Sequence, residues 1–253
     1  MNSIRSKSQK AQPQKEENQI NNVVAGYIAY WPLFIIFLLI SFSSAYTYIR
    51  YTAPMYLASA TLIIKDENKG SKDSKMMESI DAIGTKKIIE NEIEVLQSRT
   101  LINDVIRKLH LYASVWQEGK VRTQSAYTLS PLVVEAKSPD SLKSFDKILM
   151  EFDKTQEKVK LNNSFSGPIN EWLKTPYGEL KFVKNPYYYE NADSDKPFYF
   201  NLTATKNMTG WISSGLKVGA SSKLSSVIDL DYTDEVPQKA EDILNALIYY
   251  YNE

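Results

Sequence analysis

The chain has no cysteine, a single histidine, and no excess of either charge, with 30 Lys plus Arg against 30 Asp plus Glu. Without cysteine there is no disulfide framework, no thiolate metal site and no Cys nucleophile; this agrees with an oxidising envelope compartment without requiring one. One histidine, His110, excludes most zinc sites and would have to serve any Ser-His triad alone. It follows Leu109 at the end of an apolar periodic stretch, where a capping or exposed role is expected rather than catalysis. Balanced charge with no long basic stretch removes the electrostatic footprint of a nucleic-acid binder. With 43% hydrophobic and 24% charged residues over 253 positions, the chain can bury an ordinary core and form one or two domains.

A more local absence is the most informative. From Asn18 to Ile49 there is no Asp, Glu, Lys, Arg or His. Ile28 to Ile49 as helix would span about 33 Å, which matches the hydrocarbon core of a bilayer. Pro32 sits in the first turns, where its missing N–H costs least. Tyr27, Tyr30 and Trp31 at one end and Tyr46, Tyr48 and Tyr51 at the other read as interfacial aromatic belts. Arg5, Lys7, Lys10 and Lys15 precede the segment and only Arg50 follows closely, which orients the N-terminus to the cytoplasm. Ser43 and Ala45 would suit a signal-peptide cut, but the long polar leader and the long apolar run favour a retained anchor.

Residues 1–22 are polar and are expected to form a disordered tail. Tyr56 to Ile64 reads as a strand, and 65–75 as a charged loop. Ile89, Ile93 and Leu96, then Leu101, Ile102, Val105, Ile106 and Leu109, recur at helical spacing; a break is expected near Ser98, with Ser98 or Thr100 capping the second helix. Strand character follows at 132–136, 148–152, 159–161, 179–183 and 198–203, divided by turn formers including Ser166-Gly167-Pro168, Thr175-Pro176-Tyr177-Gly178 and Asn185-Pro186. Val227 to Tyr232 alternates like a half-buried strand. From Asp234, with Pro237 in the first turn, a helix carries the candidate oligomer or packing stripe Ile243, Leu244, Leu247, Ile248 and Tyr251. No capping pattern closes this helix by Glu253, so it is expected to stop in mid-element and leave part of the stripe exposed and prone to self-association.

No residue is assigned to catalysis, to a cofactor or to a metal. Gly215 to Lys223 lacks the order of a phosphate loop and reads as an ordinary loop. Asp229, Asp231, Asp234 and Glu235 lack the spacing of a calcium loop and read as solvent-facing or helix N-terminal carboxylates. The triplets Tyr187-Tyr188-Tyr189 and Tyr249-Tyr250-Tyr251 could stack on sugar rings or be phosphorylated, with half-buried packing the commoner role; Trp116, Trp172 and Trp211 share that ambiguity. The glycosylation sequons at Asn162, Asn201 and Asn207 are too short a pattern to carry weight.

Four stretches, in order, resemble the chain-length determinant (Wzz) family of polysaccharide co-polymerases, including the N-terminal part of the larger Wzc-type tyrosine autokinases. They are the apolar helix followed by Pro54 to Ile64, Asn91 to Leu109, Lys174 to Leu180, and Asp231 to Asn245. The resemblance implies an α+β protein: a transmembrane helix, then a periplasmic α/β domain with a mixed sheet, amphipathic helices and an inserted strand-rich segment. The expected boundaries are 1–26 for a cytoplasmic tail, 27–49 for the membrane helix and 50–253 for the periplasmic domain, with the insertion inside 110–225. It further implies a non-catalytic bacterial inner-membrane scaffold that regulates the length or export of O-antigen, capsule or exopolysaccharide by homo-oligomerisation. The implied partners are the polymerase or export machinery, the bilayer and the glycan itself as a further candidate. Family members return to the membrane through a second helix, and the kinases add a nucleotide-binding domain; neither is in this sequence, so a truncated chain is expected. The alternatives are the N-terminal fragment of a tyrosine autokinase, and an exported sensor or adaptor domain.

Overall fold

The computed structural model describes Gly26 and residues 30–64, 87–119, 122–189, 197–222 and 226–253. The expected tail apart from Gly26, the 65–75 loop and the belt residue Tyr27 lie outside them. The chain divides into two units, Met1–Thr52 and Ala53–Glu253.

In the first unit, helix α1 (Trp31–Tyr51) begins with Pro32 in its first turn and no side-chain cap, and none of its residues is buried. Its 21 residues rise about 32 Å. It is long and apolar enough to cross a membrane. The Thr47 hydroxyl donates to the Ser43 carbonyl at 2.7 Å, which keeps that polar group satisfied without water.

In the second unit, strand β1 (Tyr56–Ile63) turns Ala58, Ala60 and Leu62 inward and Leu57, Ser59, Thr61 and Ile63 outward. It pairs along its whole length with β12 (Val227–Asp234), from Tyr56 opposite Asp234 to Ile63 opposite Val227. β12 is also paired with β11 (Leu216–Ala220), so the first and last strands of the unit are neighbours in one three-stranded sheet, with β12 central. Helix α2 (residues 87–96) and α3 (Arg99–Lys108) break where the sequence suggests. There the Ser98 side chain accepts the Leu101 N–H at 3.3 Å. α3 buries Leu101, Ile102, Val105 and Ile106 against α4 (Thr205–Gly215) and α5 (Pro237–Tyr251). Removing the cap by Ser98→Ala is expected to cost about 1 kcal/mol, read as a lower midpoint in urea unfolding with an unchanged slope.

Between α3 and α4 the chain builds two further sheets. One has six strands in the order β3 (Thr123–Ser125), β2 (Val115–Glu118), β10 (Phe198–Leu202), β5 (Phe145–Asp153), β6 (Lys158–Leu161), β7 (Phe165–Pro168). The other has β4 (Leu132–Ala136), β9 (Gly178–Lys184) and β8 (Trp172–Thr175). Phe182 of β9 and Phe200 of β10, both fully buried, meet edge-to-face at 6.0 Å and join the two sheets.

Four expectations are corrected. The sheets are not mixed: every strand pair among the described residues is antiparallel, and the consecutive pairs β2–β3, β5–β6, β6–β7, β8–β9 and β11–β12 are joined by links short enough for hairpins, whereas parallel pairs need long crossovers. Ser166-Gly167-Pro168 is not a divider but part of β7. That strand is a sheet edge, where proline is tolerated, and a Cβ on Gly167 would sit 2.6 Å from the Leu173 side chain. Gly215 to Ala220 is not a plain loop but the end of α4 and strand β11. The last helix starts at Pro237 rather than Asp234. Asp234 ends β12, and its carboxylate accepts the Val236 N–H at 3.0 Å and the Lys239 ammonium at 2.8 Å, bridging strand to helix.

The stripe on α5 also departs from expectation. Ile243, Leu244 and Leu247 are buried, at 1%, 2% and 1% exposure, where α5 packs on β1, β12 and α3. Ile248 and Tyr251 are half-buried against the same core, and the Tyr251 hydroxyl donates to Glu92 of α2 at 2.7 Å. The domain itself covers the stripe.

Candidate functional site

The other face of α5 lines a cleft of about 550 Å³. Lys239, Asp242, Asn245 and Tyr249 are spaced three, three and four apart, so they form one row along the helix, turned away from Ile243 and Leu247. The remaining walls come from the end of α3 and the turn after it (Lys108 to Val115), from Ser125 to Tyr127, from Ser130 to Val133, and from Asn185-Pro186-Tyr187. Leu111, Ala113, Val115, Ala126, Leu132 and Ala246 are buried and supply an apolar floor.

Asp242 is the polar centre of the cleft. Its carboxylate accepts hydrogen bonds from the Tyr127 hydroxyl at 2.7 Å, the Tyr187 hydroxyl at 3.0 Å and the Gln238 amide at 3.1 Å. The two tyrosine rings lie 5.9 Å apart and 32° from parallel. Burial first, and then the bond to Asp242, push the Tyr127 phenol well above the ordinary tyrosine range, so it stays a hydroxyl. Tyr187 is raised by the same two causes in the same order. Behind them Asn185, 7% exposed, donates to the carbonyls of Tyr127 at 2.8 Å and Ser130 at 2.9 Å and accepts the Tyr187 N–H at 3.0 Å. One buried amide thus fixes the loops that carry both phenols.

The α3 end of the cleft is set by His110. It takes the left-handed conformation, φ 53°, at the first position past the helix cap, where glycine or asparagine is usual. Its Nδ1 lies 2.9 Å from the Tyr112 hydroxyl, which already accepts the Ala136 N–H at 3.1 Å. An N–H on Nε2 would face Glu135, 3.7 Å away, and leave Nδ1 as an acceptor for the Tyr112 hydroxyl. Burial lowers the His110 pKa and outweighs the opposing Glu135 charge, so the ring is neutral at pH 7. These contacts give His110 an ordering role at the turn.

The structure thus joins one member of each tyrosine triplet, Tyr187 and Tyr249, in a single cleft with Tyr127. The sequence carried the triplets as a signal but nothing that linked them, and Tyr127, Asn185 and Asp242 stood in no motif. Among the tryptophans, Trp116 lies in β2, Trp172 packs under Lys181 at 5.9 Å, and Trp211 is 78% exposed on α4; none lines the cleft. Of the acidic cluster, Asp231 accepts the Ser59 hydroxyl at 2.6 Å across β1 and β12. Among the described residues no group of three or more His, Asp or Glu side chains could hold a metal ion. The chain matches no protein-family model and no curated protein.

Proposed function

We propose that this chain is a membrane-anchored, exported polysaccharide co-polymerase scaffold that regulates the length or export of O-antigen, capsule or exopolysaccharide by oligomerising, without catalysis of its own. In this reading α1 spans the bacterial inner membrane with the N-terminus in the cytoplasm, and residues 50–253 are periplasmic.

The observation that carries the reading is the meeting of distant segments. Pro54 to Ile64, Asn91 to Leu109 and Asp231 to Asn245 carry most of the resemblance, and they form one packed layer of β1, β12, α2, α3 and α5. Lys174 to Leu180 falls in the separate β4-β9-β8 sheet, as an inserted segment would. These three resembling segments thus lie against one another in a single packed region, although up to about 170 residues of chain separate them, as the parts of one domain base would. A domain whose first strand, four residues past the anchor unit, pairs with its last strand also has a compact base from which an insertion of nearly a hundred residues can project.

The cleft favours a second reading, an exported sensor or adaptor domain, since convergent polar groups over an apolar floor are the form of a ligand site. The test separates the two. Deleting the gene in the cell that makes this protein is expected to change the length distribution of a surface polysaccharide, seen as a loss of the modal band on gel separation, and restoring the full chain is expected to recover it. An unchanged ladder for every surface polysaccharide of that cell overturns the scaffold reading and leaves the sensor.

A further inference from the structure

We infer that the cleft between α5, the end of α3 and the 185–187 turn is a binding site for a short neutral oligosaccharide segment. The inference deepens and rests on the polysaccharide reading above, giving the glycan a place on this chain.

Four features select that class of ligand. The volume, about 550 Å³, falls within the range of small-molecule sites, roughly 300 to 1,000 Å³. The floor is apolar while the rim carries phenols and amides, and a pyranose ring has the same division, with C–H groups on its faces and hydroxyls around its edge. Tyr249 is 55% exposed and Tyr187 36% exposed, so aromatic surface is open to a ring face. The hydrogen-bonding groups are set for hydroxyls. Tyr127 and Tyr187 spend their protons on Asp242 and so offer lone pairs to a ligand O–H. The Asn245 amide, exposed and making no side-chain hydrogen bond among the described residues, can both donate and accept.

Charge decides between neutral and acidic sugars. Lys239 is held by Asp234 at 2.8 Å, which leaves the Asp242 carboxylate at the centre and Lys108, among the described residues, as the only unpaired cation lining the cleft. A uronate or phosphate would be brought against the Asp242 carboxylate, and like charges at close range disfavour binding. A purely apolar ligand would leave the Tyr127, Tyr187 and Asn245 groups without the water they had before.

The test uses the full chain, 1–253, in lipid nanodiscs, titrated calorimetrically with maltotriose, cellotriose, mannotriose, galactotriose and chitotriose, with trigalacturonate as the acidic probe and indole as the apolar one. At least one neutral trisaccharide is expected to bind saturably, and trigalacturonate and indole more weakly than it. Tyr249→Ala and Asn245→Ala, both at exposed positions, are each expected to weaken it about tenfold, the equivalent of one lost contact of about 1.4 kcal/mol. Tyr189→Ala, in the same triplet as Tyr187 but outside the cleft and 70% exposed, is expected to leave it unchanged. No binding by any neutral trisaccharide, equal or tighter binding of trigalacturonate or indole, or indifference to both cleft substitutions overturns the assignment. If polysaccharide length responds to gene deletion but no trisaccharide binds, the cleft assignment falls and the scaffold stands. If a trisaccharide binds but the length ladder is unchanged, the scaffold falls and the cleft assignment stands.

Discussion

Leu244→Asp is expected to abolish folding of the 53–253 unit. Leu244 is 2% exposed and belongs to the α5 face, with Ile243 and Leu247, that packs on β1, β12 and α3. Its burial contributes about 1.5 to 3 kcal/mol, all of which the substitution removes. The larger part of the effect is the carboxylate. It would be buried in the apolar cluster where α5 packs on β1, β12 and α3, and an unpaired buried charge costs several kcal/mol or forces the group to take up a proton. The sum reaches the net stability of an ordinary domain, about 5 to 15 kcal/mol. Circular dichroism of the full chain in nanodiscs should show loss of the strand signal, whereas Glu241→Gln, one helical position outside that face and exposed, should melt like the parent. A folded Leu244→Asp protein with altered self-association would mean that the stripe is a seam between copies after all.

That contrast bears on the proposed oligomerisation. The sequence leads to an uncovered stripe because periodicity reports which helical face is apolar, not what covers it. The structure puts α5 between its own β-layer and α3, so Ile243, Leu244 and Leu247 are not available to a second copy. Outward-facing apolar residues remain on β1, where Leu57 is 62% and Ile63 74% exposed.

Legibility followed the chemistry of each element. β4, β5, β9 and β12 could be read because one face is buried and the other is not, as in Ile228, Leu230 and Tyr232 against Val227, Asp229 and Asp231. β2 and β3 escaped notice because a polar side chain points inward there: Gln117, 2% exposed, is satisfied by the Gln124 amide at 3.0 Å. α4 was missed for a related reason. Its buried row is Thr205, Thr209 and Ile212, a helical spacing written mainly in threonine, with the Thr209 hydroxyl reaching the Thr205 carbonyl at 3.0 Å. The cleft was the least legible feature. Its walls come from three separate regions of the chain, and the residue that orders it, Asn185, read only as half of an Asn-Pro turn. The tyrosine triplets pointed toward it, but a repeat of identical residues does not say which member faces where. Tyr187 and Tyr249 face the cleft, while Tyr251 turns to α2 and Tyr189 to solvent.

The domain should also unfold in alkali, and its tyrosines set where. Tyr112 and Tyr232 are 2% and 5% exposed, and burial is the leading cause that raises them and Tyr127 above the ordinary value near 10. Asp242 adds to the rise at Tyr127 and Asp234 at Tyr232. Tyr251 is pushed up to about 12, by burial first and then by its bond to Glu92. A group that holds its proton more tightly when folded makes the folded state bind more protons than the unfolded one. Stability is therefore level below about pH 10, the unfolded tyrosine value, and falls as pH climbs through the interval up to the raised folded values. Because several tyrosines act together, the fall should be steep and end in cooperative unfolding, with a late step in tyrosinate absorbance that coincides with loss of the strand signal. Tyr127→Phe separates this effect from simple weakening. It should lower stability at neutral pH by about 1 kcal/mol, for the lost hydrogen bond, yet flatten the alkaline fall, since one linked proton is gone. Tyr189→Phe, at an exposed position, should change neither. Tyrosinate absorbance that rises in a single step near pH 10 before any loss of structure would show that these phenols are open to solvent and are not held by the core and by Asp242.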